Sequence, residues 1–179
     1  TVYSAVTGEK RGSFSQGRSG GTYALIVDDK LVSGPGYSET GSDWLHTYNT
    51  ASRARVASFQ GNHVIVAASR SYLHTDDALT AIDRDIYFKT NAREIDLQKR
   101  SDTVREQIKK LSVEDSGDTR SALIDELSTL QSDLVENEKV KATAVLWTSP
   151  CAHPYSLIAA GDILFAGGDG EVAAYDTAD

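Results

Sequence analysis

Apolar residues recur along this chain with two different periods. Over residues 1–83 and 142–179 they alternate with small or polar residues in short runs separated by Gly or Asp, a period of two that predicts half-buried strands. The pattern repeats. One copy covers residues 23–34 and, after a Gly-rich stretch, 43–49; a second covers 63–75 and 78–83; the third covers 155–160, 163–166 and 171–176. Each reads strand, tight turn, strand, turn, strand. A further strand fits before the second copy at 55–59 and before the third at 143–147, so each repeat predicts an antiparallel meander of about four strands.

Between Arg84 and Lys141 the period changes. Leu97, Val104, Ile108 and Leu111 are spaced 7, 4 and 3, and Leu123, Leu127, Leu130 and Leu134 are spaced 4, 3 and 4. Each set forms one narrow apolar seam of the coiled-coil kind. Ser116-Gly117-Asp118 reads as stop, turn and N-cap between two helices, so a hairpin of antiparallel helices is expected. Two readings of this arm stay open: a spacer or self-association element whose seam is filled by its own partner helix, or a docking arm for another protein chain.

Composition sharpens this division. Residues 84–141 hold 24 of the 44 charged residues, one Gly and no Pro, against 13 Gly and all three Pro elsewhere. The first helical segment is net basic and the second net acidic, which favours antiparallel pairing. The predicted organisation is a β segment over 1–83, a helical insert over 84–141 and a second β segment over 142–179. The overall charge of -8 argues against nucleic acid as a partner, because phosphate neutralisation needs a basic surface. No apolar run reaches the length of a transmembrane helix. Residues 1–10 are polar and the chain contains no Met, as expected of a processed product or an excised segment. The single cysteine excludes an internal disulfide and any multi-cysteine metal site.

Candidate chemistry is sparse. Cys151 and His153, flanked by Pro150 and Pro154, suggest either a thiolate–imidazole pair or half a metal ligand set, against a packed corner between strands. Residues 19–21 and 167–170 are Gly-rich but precede strands rather than helix N-termini, so turn chemistry accounts for them better than phosphate binding. Asp28-Asp29 and Asp76-Asp77 fall in expected hairpin turns. No catalytic, cofactor-binding or metal-binding residue is assigned on this reading.

Four short antiparallel strands per repeat describe a propeller blade, and here the sequence resembles a known family. Residues 157–179, with their Gly161-Asp162 and Gly167 to Gly170 turns and Tyr175-Asp176-Thr177, look like the blade repeat of the quinoprotein alcohol dehydrogenase-like (pyrroloquinoline-quinone-like) β-propellers. Residues 2–10 are similar to the end of such a blade, and Val145-Leu146-Trp147 to the start of the next. The nearest resemblance is to polyvinyl-alcohol-dehydrogenase-like proteins with a helical insert between blades. It implies a mainly β fold, a partial propeller of about three four-stranded blades carrying an inserted antiparallel coiled-coil hairpin. Pyrroloquinoline quinone and calcium are implied only for a full-length dehydrogenase, which would place a vicinal Cys-Cys pair and its other active residues outside this chain. Two functions follow: a protein-interaction and scaffold segment with a helical arm, or a fragment of a quinone-dependent polyvinyl alcohol dehydrogenase, an oxidoreductase. The partners implied are remaining blades of a longer propeller or other copies of the chain, and the location implied is periplasmic.

Overall fold

The structure, a computed structural model, describes residues 1–13, 23–34, 44–75, 77–111 and 117–178. The described residues are mostly β, with four antiparallel sheets and one pair of helices. Two short strands open it, β1 (Val2–Tyr3) and β2 (Lys10–Gly12), paired with each other. The first repeat forms a four-stranded meander of β3 (Tyr23–Val27), β4 (Lys30–Gly34), β5 (Trp44–Asn49) and β6 (Arg55–Gln60). Its register places Val32 opposite Thr47 and Thr47 opposite Ala57, with Leu45 opposite Phe59. All five are buried, so alternation delivers one continuous inner face. Asp28 and Asp29 make the β3–β4 turn as expected, Asp28 in the left-handed region at φ 53° that Asp tolerates better than most residues.

The second sheet has the order β10-β9-β8-β7, built from β7 (His63–Ala67), β8 (Arg70–His74), β9 (Ala78–Asp83) and β10 (Val145–Pro150). Its last strand arrives after both helices, α1 (Arg84–Lys110) and α2 (Gly117–Ala142). The third sheet has three strands, β11 (Ser156–Ala160), β12 (Ile163–Gly167) and β13 (Val172–Asp176). The phase of the repeat therefore differs from the sequence expectation. The strand at 55–60 completes the preceding copy rather than opening the next, and the strand at 145–150 closes the second sheet rather than leading the third. The helices consequently interrupt one sheet, between its third and fourth strands, instead of separating two. Alternation gives a strand's period but not which neighbour it pairs with, which explains the slip.

Two compact units divide the chain: one of Thr1–Ile65, Leu73–Leu79 and Ser149–Asp179, the other of Val66–Tyr72 and Thr80–Thr148. In the first, the cores are the inner faces of the first and third sheets, including Leu164 and Ala166 at 0% exposure. In the second, Ala81, Ile82 and Ala144 are buried, and Leu97, Val104 and Leu130 form the helical seam, with Ile108, Leu123, Leu127 and Leu134 packed against it.

The helical hairpin joins its sheet without a linker. Asp83 ends β9 and is also the N-cap of α1, its carboxylate accepting from Ile86 N at 3.0 Å, which satisfies one of the helix's otherwise orphaned donors. Asp83 N donates to Ala144 O at 2.7 Å and Arg84 N to Ser69 O at 2.9 Å. Gly117 and Asp118 lie in the first turn of α2 rather than in the expected turn and cap; Ser116 lies outside the described residues.

Candidate functional site

The sequence pairing of Cys151 with His153 does not form. Cys151 follows the last residue of β10, its N–H donates to Asp77 O at 2.8 Å, and its Sγ lies 3.3 Å from His74 Nε2. His74 ends β8 and is fully buried; Cys151 is 2% exposed. The His63 ring stacks on His74 with centroids 6.1 Å apart and planes 28° apart. Burial lowers the His63 pKa from its ordinary value, since desolvation disfavours the charged form of the imidazole. Tyr175 completes the group: its hydroxyl donates to Pro150 O at 3.2 Å. Burial, then the hydrogen bond to and charge of the Cys151 sulfur, push the phenol up to about 12.

This cluster combines a thiol, two imidazoles and a phenol, yet its geometry suits a clamp better than a reaction centre. A nucleophilic or redox-active thiol needs access as well as a basic neighbour, and both Cys151 and His74 are enclosed. Gly61 belongs to the enclosure, since a Cβ there would stand 3.2 Å from His74 O, tighter than ordinary packing. The clamp fastens the end of β8 to the residue after β10. His153 is held elsewhere, its Nε2 3.4 Å from Glu171 Oε2. Nothing in the sequence reveals the Cys151–His74 contact, because the partners are 77 positions apart and meet only once β10 takes its place beside β9.

The remaining sequence candidates are turn chemistry. Asp29 accepts from Asn49 Nδ2 at 2.7 Å while its carbonyl accepts from Thr50 N and Oγ1; a hydrogen bond from Lys30 is the largest cause of its lowered pKa. Gly168 N donates to Glu171 O at 2.8 Å, and Gly170 adopts φ +72°. Residues 19–21 and Asp76 lie outside the described residues. Among those described, no cluster of three or more His, Cys, Asp and Glu is arranged to hold a metal ion.

A second cluster stands at the root of the helical hairpin. Buried Asn137 donates from Nδ2 to Thr90 O at 2.9 Å. Lys141 Nζ lies 2.8 Å from Glu94 Oε2 and 5.7 Å from the centre of the Tyr87 ring. Burial presses the Lys141 pKa down, but the hydrogen bond and charge of Glu94 outweigh it and the net shift is upward. Burial raises Tyr87 against the opposing charge of Lys141. Thr90, Glu94, Leu97, Ser101, Val104 and Ile108 on α1, with Leu123, Leu127, Leu130, Leu134, Asn137 and Lys141 on α2, continue the 4-3 spacing without a break. The spacing of 7 between Leu97 and Val104 thus conceals Ser101, a seam position at 0% exposure. Polar layers of this kind set register in a coiled coil at some cost in stability. The hairpin is therefore a closed, self-registered arm.

No described helix is long and apolar enough to cross a membrane. No protein-family model, no curated protein and no solved structure matches this chain.

Proposed function

We propose that this chain is a segment of a β-propeller of the quinoprotein-like repeat kind and works as a protein-interaction and scaffold module. The sheets act as platform and the helical hairpin as arm. One observation carries the reading: β9 passes into α1 at Asp83 with no residue between, and α2 returns to β10 through Thr143 and Ala144 alone, so the arm inherits the orientation of adjacent strands. A catalytic lid needs a hinge, whereas an arm seated this way is built to present its surface in a fixed direction.

The β11–β13 sheet supports the propeller part. Leu164 and Ala166 on one face are fully buried, while Ile158, Ile163 and Val172, brought to the other face by the register, are 60%, 42% and 70% exposed. A sheet apolar on both faces has the composition of an inner layer, stacked on a further sheet at about 10 Å. A neighbouring blade is the cover this reading supplies. The periplasmic location belongs to the same resemblance.

The reading is tested on the full-length gene product by adding pyrroloquinoline quinone and calcium and following reduction of an artificial electron acceptor. No turnover is expected. Acceptor reduction that requires both additions would replace the scaffold reading with the dehydrogenase one.

A further inference from the structure

One cleft in the β part gathers positive charge on a chain whose net charge is -8. It lies between the β1–β2 hairpin and the turn from β5 to β6, is lined by Val2, Arg11, Gly12, Thr50, Ala51 and Arg53, and has a volume of about 220 Å³. Arg53 is fixed there in three ways. Its backbone N–H donates to Asn49 O at 2.9 Å, its Nη2 donates to Arg11 O at 2.9 Å, and its guanidinium fills the place of a side chain on Gly12, where a Cβ would stand 2.5 Å from Arg53 Cζ and 3.0 Å from Nε. The backbone at Arg53 has φ 62°, a conformation that suits glycine better than arginine. The chain thus puts glycine where the guanidinium needs room and arginine where glycine would be easier.

We propose that this cleft binds a small oxyanion, a phosphate or carboxylate group gripped by the Arg53 and Arg11 guanidinia. The unspent donors select the ligand. A guanidinium carries several N–H donors in a fixed fork, and that of Arg53 spends one on Arg11 O and has no other partner among the described residues. Arg11 meets Glu9 at 3.9 Å, with the two side chains 62% and 70% exposed, a pair that contributes little and yields to a better-placed acceptor. The neutral polar groups of the lining are already engaged: Thr50 Oγ1 donates to Asp29 O at 2.9 Å and Ala51 N to Asn49 Oδ1 at 3.1 Å. The Asp29 carboxylate accepts from Lys30 and Asn49. Recognition therefore falls to two cations, whose planar forks match the paired oxygens of a carboxylate or phosphate. The volume sets the size. It lies below the roughly 300–1,000 Å³ of pockets for drug-sized ligands, which matches inorganic phosphate or a short carboxylic acid. None of these residues belongs to the Cys151 clamp or to the helical arm, so the site stands independently of the scaffold reading.

Amide chemical-shift titration of the purified chain at constant ionic strength tests it, with sodium phosphate in one arm, sodium acetate in the other and sodium chloride as the balancing salt. Saturable shifts at the Gly12 and Arg53 amides are expected with at least one anion, and the one that saturates at lower concentration identifies the class. Arg53→Gln should weaken binding about tenfold. Gly12→Ala is the sharper variant: it keeps both charges, but its Cβ forces the guanidinium aside, and it should weaken binding to a similar degree. Arg53→Gly suits the local backbone and takes the place of Arg53→Gln should that chain fail to fold. Lys139→Gln, on α2, should bind as the wild type does. Absence of saturation with both anions, or an affinity unchanged in either the Arg53 or the Gly12 variant, overturns the assignment.

Discussion

Asn137 donates a 2.9 Å hydrogen bond across the helical hairpin to the carbonyl oxygen of Thr90, from a seam position that leucine fills at the four preceding seam positions of α2. The Thr90 carbonyl lies inside α1 and Asn137 is 2% exposed, so the bond is shielded from water and specifies one alignment of the two helices. Asn137→Ala should cost about 1 kcal/mol in urea unfolding. Asn137→Leu should keep or raise the midpoint while splitting the amide resonances of seam residues as the helices sample a second register. A single set of resonances in that chain would show that register is fixed elsewhere.

Ser101 gives the opposite sign. Its side chain is fully buried in the seam and Oγ has no hydrogen-bond partner among the described residues. A buried unsatisfied hydroxyl costs about 1–3 kcal/mol, and Ala is the better helix former. Ser101→Ala should therefore stabilise the chain by about 1 kcal/mol, raising its melting temperature by about 2–4 °C. Calorimetry showing no rise, or a fall, would mean that the hydroxyl is satisfied in solution.

These two residues mark what the sequence makes legible and what it hides. Leucine spacing is enough to place both helices and their pairing, because an apolar seam has a period that no other element shares. Ser101 and Asn137 escape because a polar residue at a seam position looks like a solvated one until its neighbours are known. The strands are legible for the same reason as the helices, yet the partnership of β10 with β9 is not, since it depends on a return across the whole insert. Cys151 stands out in the sequence as the sole cysteine. Its true neighbour, His74, does not, and the nearby His153 is the wrong partner because its ring turns to Glu171 instead.

The clamp at Cys151 makes a prediction about the thiol and one about the phenol. At 2% exposure, Cys151 should react with an aromatic disulfide reagent far more slowly in the native chain than in urea, at a rate set by opening of the β8–β10 contact. The Tyr175 phenol, held at about 12 against an ordinary 10.0, binds its proton more tightly folded than unfolded. Its contribution to stability is complete below pH 10 and is lost as the pH rises through 12. Burial is the larger cause and the Cys151 sulfur the next, so Cys151→Ala should bring the phenol's ultraviolet titration part of the way back toward 10. A titration unchanged in the Cys151→Ala chain would show that the sulfur exerts no pull on the phenol.

His63 supplies the pH dependence on the acid side. Burial lowers its folded pKa below 6.5, so under mildly acidic conditions the unfolded chain binds a proton that the folded chain refuses. Stability is then full above pH 6.5 and falls as the pH drops toward the folded value. Asp29 and Glu106 are also lowered, by hydrogen bonds from Lys30 and Lys109. They begin to weaken the fold only below their ordinary values of 3.8 and 4.5, so the window between pH 6.5 and 5 separates the histidine from both carboxylates. Urea midpoints should decline across that window in the wild type and decline less in His63→Gln, whose side chain cannot take up the proton. An equal decline in both chains would assign the effect to another group and detach His63 from the acid sensitivity of the clamp.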